Sequence, residues 1–219
     1  MIEVRGLGKR LGGRAVLDGV SFSVAGGEAV AIMGPSGAGK TTLLRCLNGL
    51  ERADAGAVRV GPDELRAGDP DWTHAVTRVR RRAGFVFQEW HLFANRTVLG
   101  NVIEAPVHVA REPEAAATAR ARALLERVGI AHRAAAFPHE LSGGEQQRAA
   151  IARALAMSPE ALLMDEPTSA LDAARVGDLV ALLRDLVAGG LALLVVTHDD
   201  RFARALGARV LNLSDGRLG

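Results

Sequence analysis

Residues 34–42 read GPSGAGKTT: Gly34, Pro35, Ser36, Gly37, Ala38, Gly39, Lys40, Thr41 and Thr42. Gly34, Gly39, Lys40 and Thr41 occupy the fixed places of G-x-x-x-x-G-K-[ST], a loop that cradles phosphate. Glycines let the backbone curl so that successive N–H groups converge on phosphate oxygens. A helix N-terminus just beyond adds its positive dipole end. Lys40 would reach the β- and γ-phosphates, and the Thr41 hydroxyl would ligate Mg2+. The flanks agree with this. Ala29 to Met33 is an apolar run of strand type, and TTLLRCLNGL (41–50) has helical spacing. An ordinary Gly-rich turn has no use for Lys and Thr at those places.

Working outward, further strand-like runs appear at Gly84–Gln88, Ala161–Asp165 and Leu191–Thr197. Strands alternating with helical patterns predict an α/β core with a mostly parallel sheet. Two regions depart from that pattern. In the N-terminal third, Val4, Val16, Val20, Phe22 and Val24 stand among many glycines, and Val58 to Val60 is written the same way. These predict short antiparallel strands at the edge of the core. Residues 89–156 are rich in Ala, Arg and Glu, with Leu124, Leu125 and Val128 at helical spacing and Gly129 placed as a stop. They predict a helical insertion within a single domain, leaving 1–88 and 157–219 as its core.

Composition bounds the rest. With 219 residues, 48% hydrophobic and 24% charged, the chain can bury a core without disulfides. The one cysteine, Cys46, reads as a small buried apolar residue. A net charge of +2 gives little ground for nucleic-acid binding, and none is expected. The longest apolar-plus-Gly run, Leu186 to Val196, is 11 residues, against about 20 to span a bilayer. The N-terminal MIEVRGLGKR has no apolar leader core. An intracellular protein is expected, with any membrane link made through a partner. Of 27 basic residues, only Lys9 and Lys40 are lysine. A chain that almost always writes Arg has placed a compact point charge in the phosphate loop. The run RVRRR (78–82) reads as a solvated face, with a permease or lipid contact as the alternative.

Three further features point at the same chemistry. ALLMDEP (161–167) is an apolar strand ending in two acids, at the end where α/β sheets present ligands. Asp165 would hold Mg2+, and Glu166 would orient or deprotonate a water attacking the γ-phosphate. His198 and Gln88 also stand at strand ends. His198 can bond a γ-phosphate oxygen, and the Gln88 carbonyl can ligate Mg2+. LSGGEQQR (141–148) opens a helix running to about Met157, with Ser142 and Glu145 as a capping box. Gly143 and Gly144 leave first-turn N–H groups uncovered, so this is a second anion cradle at a helix N-terminus, or simply a well-capped helix.

The motifs together resemble the ATP-binding subunit of an ABC transporter, over almost the whole chain. GPSGAGKTT is similar to the Walker A loop, Gln88 to the Q-loop residue, and Leu141, Ser142, Gly143, Gly144 and Glu145 to the signature. ALLMDEP is similar to Walker B, Ser169, Ala170, Leu171 and Asp172 to the D-loop, and His198 to the switch histidine. The resemblance implies a P-loop (RecA-like) core with an N-terminal antiparallel β subdomain and a helical signature subdomain. It implies ATP and Mg2+ as ligands, and Lys40, Glu166 and His198 in catalysis. It also accounts for the second cradle: two subunits pack head to tail, each signature meeting the ATP on its partner, which is a second copy or a paralogue. Permease subunits would hold the chain at the inner face of the cell membrane, with a substrate-binding protein engaged indirectly.

TVLGNVIEAPV (97–107), PTSALD (167–172) and VTHDDRFAR (196–204) are most similar to importers of polar amino acids. A mechanotransmission, lipoprotein-release or cell-division ATPase is the alternative, and a non-transport ABC ATPase a third reading. The chain departs from the family pattern at three places. Leu11, with Val16 on the adenine side, stands where relatives carry an aromatic, which predicts weak discrimination between ATP and GTP. Gly100 replaces a frequent Glu, and Ala173 a frequent Pro.

Overall fold

Two long strands open the chain, β1 (Ile2–Leu11) and β2 (Arg14–Val24). They are joined by Gly12 and Gly13 at φ 55° and 83°, the positive values a two-residue hairpin turn requires. The computed structural model describes residues 1–169, 171 and 173–219. β4 (Ala55–Val60) and β5 (Asp63–Arg66) complete an antiparallel sheet of order β2-β1-β4-β5. The expected edge strands are therefore longer than the sequence implied. Register shifts in β1 let it stay paired despite its glycines.

The second sheet has order β10-β9-β3-β8-β7-β6. It contains β3 (Ala29–Met33), β6 (Ala83–Val86), β7 (Ala161–Asp165), β8 (Ala192–Val196), β9 (Arg209–Ser214) and β10 (Arg217–Leu218). All pairs are parallel except β9 with β10. The central strands are apolar throughout because both faces are covered. Ala192, Leu194 and Val196 join one hydrophobic cluster, with the N-terminal sheet, while Leu193 and Val195 join another. Ala161 and Leu163 alternate with Leu162 and Met164 in the same way.

The helices are α1 (Lys40–Leu47), α2 (Trp72–Arg82), α3 (Val98–His108), α4 (Glu114–Arg127), α5 (Gly143–Leu155), α6 (Ala173–Ala188) and α7 (Asp200–Leu206). Leu125 and Val128 are buried as their spacing suggests, and Gly129 stops α4 at φ 76°. α3, α4 and α5 fall within 89–156, and Val102, Leu125 and Ile151 share the cluster that holds Leu162 and Met164 of β7. α5 ends two residues before the expected Met157. α2 went unforeseen, and it absorbs the RVRRR run. Arg80 donates to the Asn48 and Gly49 carbonyls, and Arg82 pairs with Asp63 and Glu160. Arg81 donates to the Val109 carbonyl and Arg78 bonds Asp71. Arg78, Arg80 and Arg81 remain exposed, so the run is the expected solvated face, and it also ties α2 to neighbouring elements.

Candidate functional site

The phosphate loop leaves buried β3 and enters α1. Gly34 has φ 147°, and a Cβ there would lie 2.1 Å from the Leu213 carbonyl oxygen. Gly39 has φ 99°, and its Cβ would lie 2.8 Å from the Val16 carbonyl oxygen. Neither position admits a side chain. Lys40 Nζ donates to the carbonyls of Gly34 at 2.8 Å and Pro35 at 2.9 Å, so the ammonium sits in the curl of the loop. Gly39 caps α1 with no side-chain hydrogen bond, and the first turn carries no acid. That combination leaves the helix end favourable to an anion.

Asp165 ends β7 and is buried, and Thr41 Oγ1 donates to its Oδ1 at 3.3 Å. Burial pushes the Asp165 carboxyl above its ordinary range, against the opposing hydrogen bond from Thr41. Glu166 follows at φ 45°, with its N–H on the Val196 carbonyl at 2.9 Å. This tight turn brings Glu166 Oε2 within 2.9 Å of His198 Nδ1. His198 lies two residues beyond β8, just before Asp199, which caps α7 by accepting from the Arg201 and Phe202 N–H groups. Gln88 likewise lies two residues beyond β6, so neither residue ends its strand as the sequence implied.

The phosphate loop, Gln88, Glu166 and His198 border one cleft of about 490 Å³. Ser36, Gly37, Gly39, Lys40, Thr41 and Thr42 form one wall, and Gln88, Glu166 and His198 approach from the strand ends. Leu11, exposed at the hairpin tip, and Val16 flank it. Pro35 and Ala38 line an adjoining hollow with Arg14 and Asp215. The signature residues lie apart. Ser142, Gly144 and Glu145 border a different cleft of about 550 Å³, together with Leu171, and this cleft shares no residue with the first. Ser142 and Glu145 form the expected capping box on α5. Ser169 and Leu171 lie in the turns after Glu166, with N–H groups on the Glu166 and Thr168 carbonyls. Ala170 and Asp172 fall outside the described residues.

Several supporting residues went unseen in the sequence. Arg153 of α5 donates to the carbonyls of Trp90 at 2.7 Å and His91 at 2.6 Å, fixing the segment just after Gln88. Gln147, buried, donates to the Pro167 carbonyl and ties the signature helix to the turn beyond Glu166. Asn101, fully buried, accepts from the Phe93 N–H and donates to carbonyls of Phe93, Arg96 and Thr97. Lys9, the other lysine, bonds the Arg52 carbonyl and Glu51, which raises its pKa. Cys46 is buried as expected, and burial pushes its thiol up to about 12.

A family model described as ABC transporter matches residues 17–169. The octopine permease ATP-binding protein P of Rhizobium meliloti is 49% identical over 98% of this chain and 85% of its own length. The L-cystine transport system ATP-binding protein TcyN of Escherichia coli (strain K12) is 48% identical over 99% of this chain and 88% of its own length. A solved dimeric, post-hydrolysis state of the ATP-binding cassette MJ0796, bound to ADP and Pi, superposes with a TM-score of 0.84 at 33% identity. That match covers 100% of this chain and 96% of the other. A phosphate loop built on Lys40, a carboxylate pair at the end of β7 and a family model spanning most of the chain lead to one assignment: this protein belongs to the ABC transporter family.

Proposed function

We infer that the chain is the ATP-hydrolysing subunit of a transporter that imports a polar amino acid. One observation carries the enzymatic part: the Lys40 loop and the Glu166–His198 pair border a single cleft, and the buried Asp165 accepts from Thr41 in its wall. The first-turn N–H groups of α1 and Lys40 hold the β- and γ-phosphates. The Thr41 hydroxyl, an Asp165 oxygen and the Gln88 carbonyl are hard oxygen donors of the kind Mg2+ takes, and they would hold it with phosphate oxygens. Bound there, Mg2+ supplies charge neutralisation on the phosphates. Glu166 accepts the proton of the attacking water, and His198 orients that water and a γ-phosphate oxygen. Leu11 and Val16 flank the base.

The second cleft supports an assembly in which Leu141, Ser142, Gly143, Gly144 and Glu145 receive ATP held by another subunit. That subunit is a second copy or a paralogue; Leu171 borders the second cleft, and Ser169 borders a hollow with His198. Residues 89–156 serve as the subdomain that passes this closure to a permease, with Gln88 at the joint to the core. No helix among the described residues is long and apolar enough to cross a membrane. In this reading the permease holds the chain at the cytoplasmic face, and a substrate-binding protein acts on the permease.

The relatives named for octopine and L-cystine carry the substrate class. Two experiments test the proposal. Purified chain with Mg-ATP should release phosphate, and Glu166→Gln should bind ATP but turn over about 10²–10⁴-fold more slowly. Full turnover by Glu166→Gln would remove Glu166 from the mechanism. In cells lacking the chain, ATP-dependent uptake of at least one of arginine, histidine, cystine or octopine should be lost. Unchanged uptake of all four would favour a mechanotransmission role instead.

A further inference from the structure

The second cradle carries a charge problem. Glu145 stands in the first turn of α5, where the incoming group is an anionic phosphate. Its Oε2 accepts from the Ser142 N–H at 2.8 Å and from the Ser142 hydroxyl at 2.8 Å. The hydroxyl has one proton. While Ser142 donates that proton to Glu145, it cannot donate it to a phosphate. A free carboxylate at this place would also repel the ligand.

Arg133 answers both difficulties. Its Nε donates to Glu145 Oε1 at 2.7 Å, and His132 Nε2 lies 3.7 Å from the same oxygen. Arg133 comes from the short 3-10 turn Ala131–Arg133 after α4, so it reaches the signature from a different element. Two other arginines border this cleft: Arg148, engaged with the Val128 carbonyl and Asp178, and Arg175, whose side chain lies against Gly144. The Arg133 bond, followed by the Ser142 backbone bond, holds the Glu145 carboxyl down at about 2, so it stays ionised and fully paired.

We propose that Arg133 is a positioning residue for the signature: it neutralises and anchors Glu145, so that Ser142 can release its hydroxyl to the phosphate of a partner-bound ATP. Arg133 touches no nucleotide on its own chain. The proposal rests on the reading that the signature meets ATP held by a second subunit.

The test measures the dimer dissociation constant of Glu166→Gln at saturating Mg-ATP by sedimentation equilibrium. Arg133→Ala should weaken the dimer about tenfold at each signature, and so about a hundredfold for the two in a symmetric dimer. Tenfold corresponds to about 1.4 kcal/mol. ATP binding by the single chain should not change. Arg133→Lys, which keeps the charge, should recover most of the loss. On a Glu145→Gln background, where no carboxylate needs neutralising, Arg133→Ala should cost less than about twofold. A dimer unaffected by Arg133→Ala, or an equal loss on both backgrounds, overturns the proposal. A dimer that also survives Ser142→Arg refutes the head-to-tail reading beneath it.

Discussion

Replacing Arg153 with Met removes the fork that joins the signature helix to the segment after Gln88. Arg153 Nη2 donates to the Trp90 carbonyl at 2.7 Å and Nη1 to the His91 carbonyl at 2.6 Å. Both acceptors belong to non-glycine residues in the left-handed region, at φ 58° and 46°. That conformation costs roughly 1–2 kcal/mol per residue, so something must hold it. Hydrogen bonds to a charged group contribute roughly 1.5–3 kcal/mol each. Burial opposes them, because it disfavours the guanidinium charge and lowers its pKa. The contact with the Phe93 ring, 5.7 Å from the guanidinium carbon, is kept in part by Met. Two bonds less that desolvation leave a net loss of about 2–4 kcal/mol. Urea unfolding should show it as a lower midpoint at unchanged slope. In a chain of this size the melting temperature should fall by roughly 4–16 °C. Turnover should also fall, because Gln88 sits two residues before the released turn. A stability change under about 0.5 kcal/mol would refute the clamp.

Gly39→Ala should abolish ATP binding and destabilise the chain, because its Cβ would meet the Val16 carbonyl oxygen at 2.8 Å with φ at 99°; a binding isotherm and a melt check both. Since Leu11 and Val16 offer the base only aliphatic contact, GTP should be hydrolysed within a few-fold of ATP, and Leu11→Tyr should strengthen nucleotide binding. A strong ATP preference in competition assays would contradict the first part. The Glu145 carboxyl is held near 2, below its ordinary 4.5. Its contribution to stability is therefore complete above about 4.5 and is lost as pH falls toward 2. The stability gap between wild type and Glu145→Gln should accordingly narrow over that range in acid titration of unfolding, and a constant gap would argue against the pairing.

Much of this was legible because the physics was local. β7 and β8 are buried on both faces, so their apolar runs are unbroken and end at Asp165 and just short of His198. The phosphate loop could be read because its glycines and Lys40 serve one purpose at one spacing. β1 and β2 read as shorter than they are, since glycines and polar residues interrupt a strand that bulges to stay paired. α2 was missed because only Ala75, Val76 and Val79 of its eleven residues are buried. Arg133 and Arg153 were missed for a different reason. With 25 arginines in the chain, no single one stands out, and the carbonyls and carboxylates they serve lie far off in sequence. Pairings of that kind are set by the tertiary fold and leave no periodic trace.

The two clefts share no residue, and in the proposed assembly each is completed by another subunit. The most direct test of that assembly is the mass of Glu166→Gln by light scattering, with and without Mg-ATP. ATP should take the protein from its chain mass of 23.0 kDa to twice that value, and Ser142→Arg on the same background should hold it at one chain. A protein that binds ATP tightly and remains at one chain mass would contradict the claim that its signature closes on the nucleotide of a second copy.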